Sequence, residues 1–105
     1  MVETKAYLAQ AKGVLSDSQR TSVVDMVARN PEIGAIIPGT GGIRKVRYAN
    51  IDSKGKSGGA RIAYFYHNAG IPIFLLAVFG KGQKSNLTKE EQNELRKLTA
   101  LLKKY

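Results

Sequence analysis

The chain has no cysteine and no tryptophan, a single histidine, three prolines, and eight acidic residues against seventeen basic ones. Each shortage closes off some chemistry. Without cysteine there are no disulfides, thiolate metal sites or cysteine nucleophiles, and the composition suits a reducing compartment. One histidine, His67, is too few for a histidine-rich metal centre, although a Ser-His-Asp arrangement stays formally open. The longest apolar run, residues 71–80, is interrupted by Pro72 and is too short to span a bilayer. The first residues lack the charged-then-apolar pattern of a signal peptide. These absences predict a cytoplasmic protein with no membrane association, no metal and no cofactor.

What is present is enough for one folded unit. A length of 105 residues predicts a single domain, 1–105, and a 43% hydrophobic content supports a core. The net charge of +9 is unevenly placed. Between residues 43 and 84 stand Arg44, Lys45, Arg47, Lys54, Lys56, Arg61, Lys81 and Lys84, opposed by Asp52 alone. That block holds +7 of the +9 and reads as a footprint for a polyanion. Nucleic acid fits best, because its phosphates form a dense row that Lys and Arg neutralise. An anionic membrane fits less well, since the block falls on strand-like sequence rather than an amphipathic helix. A merely solubilising surface would usually mix the two signs.

Periodicity predicts a helix over about 3–13, with Tyr7, Leu8, Ala11 and Val14 or Leu15 near helical spacing and Gly13 as the stop. Ser16 and Gln19 have the spacing of a capping box, and Asp17 suits the positive end of a second helix. Val23, Val24 and Val27 supply its apolar stripe, and Asn30-Pro31 closes it. The two stretches read as a helical hairpin. The glycine-dense stretch 37–42 lacks the Lys-Ser/Thr pair and following helix of a P-loop, so its glycines read as a turn into a sheet. Three antiparallel strands follow: 43–49, 60–67 and 71–79, the last apolar enough to be central. Thr88 and Glu91 then cap an amphipathic helix carrying Leu95, Leu98 and Leu102 on one face, with Leu101 beside them. The pattern is an α+β domain with room for a short first strand at residues 1–2.

Residues two apart in a strand share a face, so Lys45 and Arg47 point the same way. If neighbouring strands align their odd positions, Arg61 joins them. Fixed cations beside a phosphate supply what RNA cleavage needs while a phosphorane-like transition state gains negative charge. A lysine crowded by like charges is a possible base for the ribose 2′-hydroxyl, and arginine suits bidentate phosphate contact. His67 is a weaker acid–base candidate, because no carboxylate is near it in sequence. Tyr64, Phe65 and Tyr66 are candidates for stacking on bases, with Tyr64 the most core-like.

The strings Gly39-Thr40-Gly41-Gly42-Ile43-Arg44-Lys45-Val46-Arg47, Gly55-Lys56-Ser57-Gly58-Gly59-Ala60-Arg61, Leu75-Leu76-Ala77-Val78-Phe79-Gly80-Lys81 and Asn86-Leu87-Thr88-Lys89-Glu90-Glu91 together resemble the RelE/HigB superfamily of type II toxin–antitoxin toxins, closest to its HigB-like branch. The resemblance covers residues 20–104. It implies a RelE-like fold, a small antiparallel sheet flanked by an N-terminal helical hairpin and a C-terminal helix. It also implies a bacterial or phage-derived enzyme that cuts mRNA in the ribosomal A site without a metal. Carried over by position, Lys45 and Arg47 match the family's basic pair, with Lys45 as candidate general base. Arg61 matches the arginine on the scissile phosphate, and Lys81 and Lys84 match the basic tail after the last strand. Arg44, Lys54, Lys56 and Tyr66 are the expected RNA or ribosome contacts. The strand exit here has no arginine, and Leu87-Thr88 stands where RelE-type toxins place a tyrosine, so the proton donor for the leaving 5′-oxygen is unassigned. The implied partners are mRNA on the ribosome, rRNA and a cognate helix-turn-helix antitoxin that would carry the pair to promoter DNA. Two other functions remain open, a ParE-like gyrase poison of similar fold and a non-catalytic RNA-binding module.

Overall fold

A computed structural model describes residues 1–48, 60–80 and 88–104. The element order is β1 (Val2–Glu3), α1 (Lys5–Ala11), α2 (Asp17–Arg29), β2 (Ala35–Ile36), β3 (Ile43–Tyr48), β4 (Ala60–Phe65), β5 (Phe74–Gly80) and α3 (Lys89–Leu102). The strands form one five-stranded sheet in the order β1-β5-β4-β3-β2.

Several expectations need correction. The sheet is mixed rather than antiparallel, because β1 runs parallel to β5, with Val2 opposite Phe74 and Glu3 opposite Leu75. The central strand is β4; β5 lies one place from the edge. Finally, α1 is shorter than 3–13. Thr4 is its N-cap, accepting from Tyr7 N at 3.3 Å, but the Thr4 hydroxyl also donates to Leu75 O at 2.8 Å. That second bond holds residues 2–3 in the sheet and defers the helix to Lys5. The apolar run beginning at Ile71 likewise starts its strand only at Phe74, since Pro72 has no N–H to offer a ladder. The strand expected to reach His67 ends at Phe65.

The caps form as read. Ser16 and Gln19 close a reciprocal capping box at α2, and Thr88 and Glu91 close another at α3. Asn30, with φ −145° and ψ 83°, leaves the helical region ahead of Pro31.

The sheet separates two cores. On one face Val46, Ala60, Ile62, Tyr64, Leu75 and Val78 meet Tyr7, Ala11 and Leu15 of the α1 region and Val23 and Val27 of α2. Both helices thus contribute to one cluster. On the other face Ile43, Ala63, Phe65, Ile71, Phe74 and Leu76 meet Leu95, Leu98 and Leu102 of α3. Leu101 turns away and is 64% exposed. Polar ties fix the helices in place. Arg20 bridges to Glu3 at 3.1 Å, and Gln10 Oε1 accepts from Val78 N at 3.0 Å.

The 37–42 turn uses its glycines as expected, with Gly39, Gly41 and Gly42 at φ of 81°, 78° and 120°, backbone that residues with a Cβ rarely adopt. It also docks. The buried Thr40 donates to Ile37 O at 2.7 Å and accepts from Ile43 N at 3.1 Å, and Thr99 of α3 donates to Thr40 O at 3.0 Å. A Cβ on Gly41 would collide with the Thr99 hydroxyl, so glycine is required there twice over.

Candidate nucleic-acid interface

The register of β3 against β4 aligns the odd positions. Ile43 lies opposite Phe65, Lys45 opposite Ala63, and Arg47 opposite Arg61. Across the next ladder Ala63 pairs with Ala77 and Arg61 with Phe79. Directly opposed residues project from the same face of a sheet. The face toward α3 therefore carries three rows: Ile43, Phe65 and Phe74; Lys45, Ala63 and Ala77; Arg47, Arg61 and Phe79. The leucines of α3 join the core built on the first row. Lys45, Arg47 and Arg61 thus stand together at one end of this face, Arg47 and Arg61 about 5 Å apart at Cα and Lys45 diagonal to Arg61 at about 7–8 Å.

Two arginines directly opposed on one sheet face repel. Among the described residues no carboxylate forms an ion pair with either of them; the ion pairs involve Arg20, Arg29 and Arg44 instead. Such an arrangement keeps its positive field available to an incoming anion.

Several expected contact residues lie elsewhere. Arg44 is on the opposite face, its side chain only 17% exposed. Its Nη1 donates to Gly34 O at 2.7 Å and to Glu32 O at 3.4 Å, and its Nη2 lies 3.9 Å from a Glu32 carboxylate oxygen. It holds the 32–34 segment rather than facing an RNA. Tyr66 is half-buried against the core shared with α1 and α2, also on the far side from Arg61. Tyr64 and Phe65 are buried within the two cores. The Tyr64 hydroxyl donates to Pro31 O at 2.7 Å and accepts from Gly34 N at 2.9 Å, and burial raises its pKa. His67 is exposed and stacks on Phe65, ring centroids 6.1 Å apart and 8° between planes. Six residues from Arg61, it is on the order of 20 Å along the chain from the cations. Lys54, Lys56, Lys81 and Lys84 lie outside the described residues.

Reading the sequence alone misses Phe79, half-buried beside Arg61. Strand alternation could have found it only with the β4–β5 register in hand. Among the described residues no group of three or more His, Cys, Asp or Glu side chains is placed to hold a metal, and no helix is long and apolar enough to cross a membrane. No model of a known protein family matches the chain.

Proposed function

We propose that the chain is a toxin of RelE/HigB type, a ribosome-dependent endoribonuclease that cuts mRNA with a Lys/Arg site. The observation carrying this reading is the opposition of Arg47 and Arg61, with Lys45 on the same face. In the reaction Lys45 takes the proton of the ribose 2′-hydroxyl as that oxygen attacks the adjacent phosphorus. Arg61 and Arg47 offset the charge that accumulates on the phosphoryl oxygens. The P–O5′ bond breaks, leaving a 2′,3′-cyclic phosphate and, after protonation by a group outside these three, a 5′-hydroxyl. A decoding ribosome would present the mRNA in a fixed pose and supply the orientation that three cations alone do not. A cytoplasmic location and a silencing antitoxin belong to the same reading.

The test is to map 5′-hydroxyl RNA ends in cells after induction. Parent protein should create new ends within translated mRNA, and Arg61→Ala and Lys45→Ala should each reduce them at least a hundredfold while circular dichroism and thermal unfolding stay those of the parent. Equal cleavage by both variants would remove the site assignment. DNA breaks in place of RNA ends would point to a gyrase poison, and salt-sensitive RNA binding without new ends to a binding module.

A further inference from the structure

Outside the 43–84 block the charges nearly balance, yet on α3 the two signs are segregated. Lys89, Arg96 and Lys103 stand seven residues apart. Seven residues make close to two helical turns, so the three share one flank, drifting about 20° per step along a row about 20 Å long. Lys103 is the C-cap and keeps helical angles, φ −66° and ψ −15°. All three cations are exposed, as are Asn93 and Ala100 between them. Glu90 and Glu94 fall on the opposite flank with Leu101. The arginines of α2 pair within a turn, Arg20 with Asp17 and Arg29 with Asp25. On α3 the positions three and four residues from each of these cations are Gln92, Asn93, Thr99 and Ala100, with no carboxylate. Among the described residues none of the three cations forms an ion pair; Arg96 spends one N–H on Asn93 Oδ1 at 2.9 Å. The flank borders the 37–42 turn, where Arg96 lies against Gly41 and Thr99 bonds to Thr40. That turn precedes Ile43, itself about 13 Å along β3 from Arg47, so the row is separate from the Lys45, Arg47 and Arg61 group.

We infer that this flank of α3 is a second nucleic-acid contact, one that takes the sugar–phosphate backbone of double-stranded RNA. Cations about 10 Å apart on a rigid helix cannot converge on one small anion, but a long row of phosphates meets all of them. A duplex holds its phosphates in such a row already, whereas a flexible single strand would lose freedom on being straightened. No aromatic side chain stands on the flank, so it offers unpaired bases nothing to stack on. An anionic membrane fits less well, because Leu95, Leu98 and Leu102 are spent on the sheet and leave α3 no apolar face to insert. Backbone contacts of this kind orient a nucleic acid without reading its sequence. The flank would hold folded RNA while Arg47 and Arg61 hold the strand to be cut. The choice of RNA rests on the reading proposed above; the row of unpaired cations does not.

The probes are an RNA duplex of about 16 base pairs, a DNA duplex of the same length, and vesicles of phosphatidylserine and phosphatidylcholine in equal parts. The parent should bind the RNA duplex best. Joint Lys89→Gln, Arg96→Gln and Lys103→Gln should weaken that binding at least about tenfold near 0.1 M salt and lower the slope of log K against log salt by about 3, with thermal unfolding as in the parent. Removing three exposed charges elsewhere, by Lys5→Gln, Lys12→Gln and Arg29→Gln, should lower the slope by less than about 1. The same contrast should hold in an Arg61→Ala background, where the other cation group is impaired. If the flank variant keeps the parent's slope, or the two triple variants lower it alike, the flank is refuted while the Arg47 and Arg61 site stands. Tighter binding of the parent to the DNA duplex or to the vesicles than to the RNA duplex would overturn the assignment to RNA. If the parent binds neither duplex nor single-stranded RNA, the RNA reading falls and this partner with it.

Discussion

Tyr7 shows how a single side chain sets a pH limit for the whole molecule. Its hydroxyl is buried, with no hydrogen-bond partner among the described residues. Burial first, then the nearby Glu3 charge, pushes its pKa up from 10.0 to about 12, with Arg20 pulling the other way. Because the folded pKa is the higher one, the unfolded chain loses its proton first as the pH climbs. Stability is unaffected by this group below about pH 10 and falls by about 2–3 kcal/mol between 10 and 12, as the unfolded chain ionises and the folded one does not. Denaturant titrations at pH 9 and 11.5 should show this loss, and Tyr7→Phe should shrink it. The decline should persist in part, since Tyr64 shifts in the same direction. At neutral pH Tyr7→Phe should be at least as stable as the parent, because it removes a buried donor with no acceptor. Tyr64→Phe should behave oppositely and cost about 1–3 kcal/mol, since it strands Gly34 N and Pro31 O.

Among the elements, α3 depends most on contacts remote in sequence. Its start is local, a Thr88–Glu91 box, but its seat is Leu95, Leu98 and Leu102 on the sheet and Thr99 on the 37–42 turn. Thr99→Val keeps the shape and deletes the bond to Thr40 O, leaving that carbonyl buried. A loss of about 1–2 kcal/mol in urea unfolding is expected, with amide exchange faster in the 40–43 segment than elsewhere. Thr88→Ala should cost about 1 kcal/mol through the helix start alone and leave exchange in the turn unchanged relative to the rest. The two edges of the sheet are closed by strands of only two residues, Val2–Glu3 and Ala35–Ile36, which leaves little ladder for another chain to join.

The whole molecule works as a partition. One sheet face is given to α1 and α2 and the opposite face is shared between α3 and the cations, so Lys45, Arg47 and Arg61 lie together at one end of one surface. Salt dependence of RNA binding measures how many of those cations meet phosphate. Arg47→Gln and Arg61→Gln should each lower the slope of log K against log salt by about 1. Arg44→Gln should leave the slope unchanged and reduce stability, because Arg44 is tied to Gly34 and Glu32 on the other face. If all three variants lower the slope alike, the assignment of faces is at fault.

Much of this architecture was legible in the residues themselves. Ser16 with Gln19 and Thr88 with Glu91 set helix starts within four residues, a scale at which no distant partner has to be known. Gly39, Gly41 and Gly42 announced the turn, because only glycine takes those backbone angles freely. Lys45 and Arg47 had to share a side by alternation. What chain order could not supply was register. The irregularity between Ala63 and Tyr64 shifts β5, so that Leu76 and Ala77 both reach the α3 core and alternation along β5 is broken. Pairing energy summed over several strands decides such a shift, and it is this shift that sets Phe79 beside Arg61. Arg44 is the same lesson from the other side: as sequence it was one more cation in a basic block, and only the fold, by bringing Gly34 and Glu32 to it, made it a structural tie.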